Sequence, residues 1–363
     1  MKKFFSVLQL LIAVIFFSFG KVSAQNLEET LSNLSSGAGK AYVAPVISAF
    51  GSNLNSGWVS QVPEAVKFKL HVNLKIIAAG SFFSDENKKF KANGDFYFTG
   101  SQVDQILANS GYSPNTMGGQ QNYDNLKNEI IKKQFTVQFS GPTIVGSDKE
   151  HLNILFPKQS VQANGQTFTI DSYELAVNEV KGLLKDLSVL PTPGIQLTAG
   201  TFFGTNVSLR YSPKIKVSDD LGDFSLFGIG AIHNPGAFLL KPLPIDVAIS
   251  FFTQSMKVGE VFESSASQFG IYAGKTFGGI VAISPFIGLT TETSKTTVKY
   301  DYQSNQTVNG VQVPPTKIKF ELEGENSIGV TIGFNLKLAV VNLTADYKLA
   351  KTKTASVGLS FGW

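Results

Sequence analysis

The chain has 363 residues, with 31 Lys and Arg against 27 Asp and Glu, three His, no Cys and 30 Phe. The absence of cysteine excludes disulfide scaffolds, thiolate zinc sites and thiol nucleophiles, and the near balance of charge argues against a nucleic-acid partner, which needs a clustered basic face. Charged residues make up 16% of the chain, below the roughly 25% of ordinary soluble domains, which points to a surface not wholly in water.

Lys2 and Lys3 open the chain, Phe4 to Gly20 is almost entirely apolar, and Val22 and Ala24 stand before Gln25. This pattern predicts a secretory signal peptide over residues 1–24. Its removal takes away Lys2, Lys3 and Lys21 and brings the net charge from +4 to +1. Gln25 in place of Cys predicts no lipid anchor on the new N-terminus. No later apolar run reaches the roughly 18 residues of a membrane helix, so the exported chain is expected to be soluble or a closed outer-membrane barrel. In residues 25–65, Leu27, Leu31 and Leu34 suit a short helix, and Tyr42–Pro63 carries Gly51, Gly57 and Trp58. That segment is too apolar for a disordered tail and too irregular for a spanning strand. It is expected to plug the barrel mouth or to pack beneath it on the periplasmic side.

From Val66 a period of two sets in. Val66, Phe68, Leu70, Val72, Leu74 and Ile76 alternate with Lys67, Lys69, His71, Asn73 and Lys75, which predicts a strand with one apolar and one polar face. Residues 82–193 read as an insertion. Short strands are expected at Asp95–Thr99, Phe135–Ser140 and His151–Phe156, and helices at Asn122–Lys133 and Asp171–Leu187, the second ended by Pro191 and Pro193. Alternation then returns at Ile195–Phe203, Val207–Val217, Phe224–Ile232, Ile245–Thr253, Ser267–Phe277 and Ile280–Thr291, with Pro285 tolerable only at a bulge or strand end. It closes with Ile328–Leu338, Val341–Lys348 and Ala355–Trp363.

Runs near ten residues match tilted membrane-crossing strands better than the five or six usual in soluble sheets. The expected fold is therefore all-β, a transmembrane antiparallel β-barrel over residues 66–363 of about twelve strands, with fourteen as the alternative, and a few short helices. A soluble secreted β-sandwich is a further alternative. With both termini periplasmic, Leu349–Thr354, Glu323–Asn326, Gln254–Ser265 and Asp219–Gly222 become extracellular. Gly278-Gly279, Gly204-Thr205 and Asn234–Pro244 become periplasmic, and Thr293–Pro315 with Lys317–Glu323 extends an extracellular hairpin.

Charges on the polar faces are expected to point into the lumen, because in lipid each would cost about 2–4 kcal/mol at the midplane. The lumen-facing candidates are Lys67, Lys69, His71, Lys75, Arg210, Asp246, Lys337, Asp346 and Lys348. No Gly-x-Ser-x-Gly elbow or His-Glu-x-x-His helix occurs, and His71, His151 and His233 have no metal-ligand spacing. Neither a catalytic residue nor a metal or cofactor site is assigned, and an enzyme is not expected.

Trp363 ends the chain, with Ala355, Val357, Leu359 and Phe361 at alternate positions before it. This resembles the terminal signature of Gram-negative outer-membrane barrels and implies recognition of Val357, Leu359, Phe361 and Trp363 by the barrel assembly machinery. Tyr42-Val43-Ala44-Pro45, Leu54-Asn55-Ser56-Gly57-Trp58, Phe227-Gly228-Ile229-Gly230-Ala231-Ile232-His233-Asn234 and Ala345-Asp346-Tyr347 resemble uncharacterised outer-membrane barrel proteins of Bacteroidota-type bacteria. A plugged barrel of this size is also similar, at the level of fold, to long-chain fatty-acid transporters. The resemblance implies an outer-membrane location and lipid as a partner. Passive transport of a small or hydrophobic solute is the expected function, and a structural or adhesive barrel with a filled lumen is the alternative.

Overall fold

The alternation in the sequence becomes, in the structure, strands whose two faces meet different surroundings. The computed structural model describes residues 36–96, 98–178, 180–185, 187–218, 222–241, 243–302, 307–308, 311–312 and 316–362. The expected signal peptide, the Leu27–Leu34 helix and Trp363 lie outside the described residues, as do parts of Asp219–Gly222 and Thr293–Pro315.

The chain opens with α1 (Ser36–Leu54), β1 (Phe68–Phe82), β2 (Lys89–Phe96), α2 (Gly100–Asn109) and α3 (Gln120–Lys132). Five short strands follow, β3 (Phe135–Pro142), β4 (Leu152–Phe156), β5 (Gln159–Ala163), β6 (Gln166–Ile170) and β7 (Tyr173–Val177). Longer ones come next, β8 (Val189–Phe202), β9 (Thr205–Ser218), β10 (Gly222–His233), β11 (Asp246–Val258) and β12 (Phe262–Gly274). After them run β13 (Phe277–Gly278), β14 (Val281–Tyr302), β15 (Thr307–Val308), β16 (Val311–Gln312) and β17 (Thr316–Glu323). The chain ends with β18 (Ile328–Leu338), β19 (Val341–Leu349) and β20 (Thr354–Gly362). Two compact units divide it, one holding Ala44–Ser84 and Leu187–Trp363, the other Asn26–Val43 and Asp85–Asp186.

In the first unit, ten strands among the described residues close an antiparallel barrel in the order β1, β8, β9, β10, β11, β12, β14, β18, β19, β20 and back to β1. Closure gives each of these ten strands a neighbour on both sides over most of its length. β14 is long enough to serve twice, pairing with β18 from Val281 to Thr291 and with β17 from Lys295 to Tyr302. Pro285 stands opposite the break between β12 and β13, where Gly274 pairs with Phe286 and Phe277 with Ile283, so its missing N–H interrupts no ladder there.

The apolar face of this barrel points outward. Ile283, Ile287 and Leu289 on β14, Phe269 and Ile271 on β12, Ile249 and Phe251 on β11, and Ile332 and Phe334 on β18 are all exposed, most by about half of their surface (44–55%). The band starts at the short turns and gives way to Ser255 and Lys257 on β11, Ser265 on β12, and Lys295 and Lys299 on β14, which are exposed on the same face. On β14 it runs from Val281 to Leu289, about 20 Å of height for a tilted strand.

The expectation of about twelve or fourteen barrel strands is corrected to ten, because residues 85–186 supply none. Their strands form a four-stranded sheet, β2-β3-β4-β7, and a hairpin, β5-β6. Here the alternation runs the other way, with Phe135, Val137, Phe139, Ile154 and Phe156 buried. Phe98, Phe135 and Phe156 pack with ring centroids 5.1–5.7 Å apart. α2 begins at a capping box in which the Thr99 N–H donates to Gln102 Oε1 and the Gln102 N–H to Thr99 Oγ1. The helix expected at Asn122–Lys133 forms as α3. The one expected at Asp171–Leu187 does not: Tyr173–Val177 is β7 and pairs with β4 from Leu152 to Phe156, a tertiary pairing that overrides helical spacing. Asp104 accepts hydrogen bonds from Lys127 and Tyr123. The Lys127 bond holds the Asp104 carboxyl below its ordinary range, and burial with the Asp104 bond pushes the Tyr123 hydroxyl up to about 12. Phe156→Ala should destabilise this unit by about 3–5 kcal/mol, seen as faster proteolysis between residues 98 and 175 with the heat-modifiable migration of the barrel unchanged.

Candidate functional site: the barrel interior

The polar face of each strand points inward and is shut off from solvent. Lys75, Arg210, Lys348, Glu292, Gln196, Gln254 and Asp346 are all at most 6% exposed. Groups of this kind stay buried only when paired, and the chain supplies the partners itself. The last turns of α1 and the residues after it, Ala44 to Val62, occupy this interior.

A helix C-terminus leaves carbonyls without intrahelical donors and carries partial negative charge. Around the end of α1 the wall answers with cations and amides. Lys348 Nζ on β19 donates to the carbonyls of Ser52 at 3.1 Å and Asn55 at 3.3 Å, and to both oxygens of Glu292 on β14 at 2.9 Å. Lys75 Nζ on β1 donates to the Gly57 carbonyl and to Ser60 Oγ, both at 2.8 Å. Arg210 Nη1 on β9 donates to the Ser56 carbonyl at 3.0 Å, and its Nη2 donates to Gln196 Oε1 at 2.9 Å. Gln196 Nε2 on β8 completes the chain by donating to the Trp58 carbonyl at 2.9 Å. Gln254 on β11 donates to the Leu54 carbonyl.

Asn53 anchors the helix on another side. Its Nδ2 donates to the Leu190 carbonyl at 2.7 Å and to Thr192 Oγ1 at 2.9 Å, and its Oδ1 accepts from Ser81. Ser52 meets Thr354 and Asn326. Toward the short turns the contacts become apolar. Trp58 lies under the Arg210 guanidinium at 3.9 Å and stacks on Phe252 at 4.7 Å, within a buried cluster of Val59, Val62, Ile232, Ala248, Tyr272 and Phe286. Gly57 adopts φ +68°, and a Cβ there would lie 2.2 Å from Ile77, so the chain can turn at this point only with glycine.

The nine lumen candidates thus divide. Lys75, Arg210, Asp346 and Lys348 are buried inside, and Asp346 accepts from the Ser356 hydroxyl. Lys67, Lys69 and Lys337 keep the inward parity of the polar faces and are exposed, Lys67 just before β1 and the other two near strand ends. Lys69 pairs there with Glu64 at 2.5 Å. His71 is half-buried next to that rim, and Asp246 accepts from the Ala65 N–H and from Asn234 Nδ2. Val357, Leu359 and Phe361 of the terminal signature face outward and are exposed. Glu292, Gln196 and Gln254 were missed. Glu292 was legible from its place beside Thr290 on a polar face; Gln254 fell in an expected loop that the structure makes strand.

A family model described as "Family of unknown function (DUF6588)" matches residues 1–363. The chain belongs to that family. No curated protein matches it. Among solved structures it is similar to OmpT, an outer membrane protein of Vibrio cholerae (trimer form), at 8% identity over 81% of this chain and 99% of that one, TM-score 0.22. It is also similar to the transport unit of the autotransporter AIDA-I from Escherichia coli, at 6% identity over 88% and 98%, TM-score 0.24. A bacterial polysaccharide outer membrane secretin matches at 6% identity over 82% and 99%, TM-score 0.22. Scores this low carry no argument about function.

Lys348→Met leaves Glu292 charged in a pair whose side chains are 1% and 0% exposed. It should cost about 3–5 kcal/mol, and adding Glu292→Gln should recover part of that, measured as the temperature of the heat-modifiable gel shift in a double-mutant cycle.

Proposed function

We propose that this chain is an outer-membrane β-barrel whose interior is closed by residues 44–62 acting as a plug, and that it passes a small or apolar solute when the plug shifts. The observation that carries the membrane reading is the outward band from Val281 to Leu289 and its counterparts on the other strands. Soluble monomers rarely expose contiguous apolar patches above a few hundred Å², and lipid removes that cost. Barrel assembly machinery reading Val357, Leu359 and Phe361 is part of the same proposal.

The way the plug is held favours passage over a permanent filling. Its upper half is bound through backbone carbonyls to side chains that water can equally well solvate, namely Lys75, Arg210, Gln254 and Lys348. Gln254 Oε1, Gln268 Oε1 and Asp346 Oδ1 are buried oxygens without a hydrogen bond among the described residues. Such acceptors gain partners when water enters. A second reading, a structural or adhesive barrel, draws on the near-complete burial of the interior.

Planar bilayers separate the two. The mature chain should conduct little and the same chain lacking residues 25–62 should conduct steadily and release small solutes from vesicles; silence from both overturns transport. Ile287→Lys, near the middle of the band, should destabilise the protein in lipid by about 2–4 kcal/mol. A soluble sandwich would accept that exposed lysine without loss and would extract without detergent.

A further inference from the structure

We propose that the open face of the four-stranded sheet in the second unit binds a phosphorylated sugar; this goes beyond the membrane reading above and does not depend on it. β2 and β3 pair Lys91 with Ser140 and Lys89 with Pro142, and β3 and β4 pair Ser140 with Asn153. Residues paired in this way share a face. Phe90, Phe139, Leu152 and Ile154, of the other parity, are buried. Lys91, Ser140 and Asn153 therefore stand side by side in one row on the open face. Lys89 and His151 lie two residues along on the same side, and Lys149 and Glu150 precede His151 in the connection from β3. Together they line a cleft of about 460 Å³, within the roughly 300–1,000 Å³ usual for small-molecule sites.

The charges in this cleft are not balanced. Three lysines against the single Glu150 leave a surplus of two positive charges. Lys89 is bound to Glu150 at 2.7 Å, which leaves Lys91 and Lys149 without a counter-ion. The side chains of Lys91, Lys149, Ser140, His151 and Asn153 make no hydrogen bond or ion pair among the described residues. Elsewhere in the unit Lys88, Lys127, Lys158 and Lys185 each meet an aspartate at 2.5–2.7 Å.

Free cations beside a free hydroxyl and a free amide suit the oxygens of a phosphate. The lysines supply charge, and Ser140 and Asn153 supply directed donors. The next row on the same face is Asn93 with Gln138, roughly 7 Å further along the strands. Both are exposed amides, able to donate to and accept from sugar hydroxyls. Among the described residues of β2, β3, β4 and β7, no Phe, Tyr or Trp stands on this face. A nucleobase would find no stacking platform there. The ligand is therefore a sugar carrying a phosphate, either free or as the headgroup of a lipid.

Isothermal titration of the detergent-purified chain with glucose 6-phosphate tests the site. Saturable binding is expected, at least fivefold tighter than that of inorganic phosphate, with none for glucose. Lys91→Ala with Lys149→Ala should weaken it at least tenfold. Lys158→Ala, which removes an exposed lysine paired with Asp171, should leave it unchanged. Asn93→Ala with Gln138→Ala should erase the preference over inorganic phosphate while inorganic phosphate itself binds as before. Dihexanoyl phosphatidylinositol 4-phosphate presents the same chemistry on a lipid. Tighter binding of it than of glucose 6-phosphate, lost in the double lysine variant, assigns the lipid source, and the reverse order assigns the free sugar. No saturable binding of either probe, equal binding by the parent and the double lysine variant, or inorganic phosphate binding as tightly as the sugar overturns the proposal.

Discussion

A closed antiparallel ladder is the constraint on which the rest depends. With β12 paired to β14 and β20 to β1, the ten strands form a closed ring, and over its paired height backbone hydrogen bonding no longer requires water on the outside. Only then can Phe251, Phe269 and Ile287 stand outward while Lys75, Arg210 and Lys348 turn in. An open sheet with the same alternation would have buried the first group and solvated the second.

Closure also creates the interior's chemistry. Side chains that would be hydrated on a soluble surface are shut into a narrow space, and each needs a partner. The end of α1 meets that need with a cluster of carbonyls whose dipole complements the three cations. The lower interior is filled differently, by Trp58 against Phe252 and by Val59 and Val62 among Tyr272 and Phe286. The segment Ala44–Val62 is thus bound by polar contacts at one height and by apolar packing at another.

The second unit uses the same period of two for the opposite purpose. Phe135, Phe139, Ile154 and Phe156 are buried against their neighbours while Thr136 and Gln138 are exposed. Its strands are mostly five residues long, too short to cross an apolar layer. Nothing in the local pattern of Phe135–Ser140 tells it apart from a short barrel strand; length and the helices α2 and α3 close by in the chain are the discriminating features.

The strand positions from Ile195 to the end, the two-faced character of each, and the inward place of Lys75, Arg210, Asp346 and Lys348 were legible in the sequence, because period two maps directly onto the faces of a strand. The turns at Gly204 and Gly278 were legible for the same local reason. Ten rather than twelve strands, the helix over Ser36–Leu54 and the place of Ala44–Val62 inside the barrel were decided only by tertiary structure. So was the exposure of Lys67, Lys69 and Lys337, since parity says which face a side chain takes but not how deeply it is enclosed.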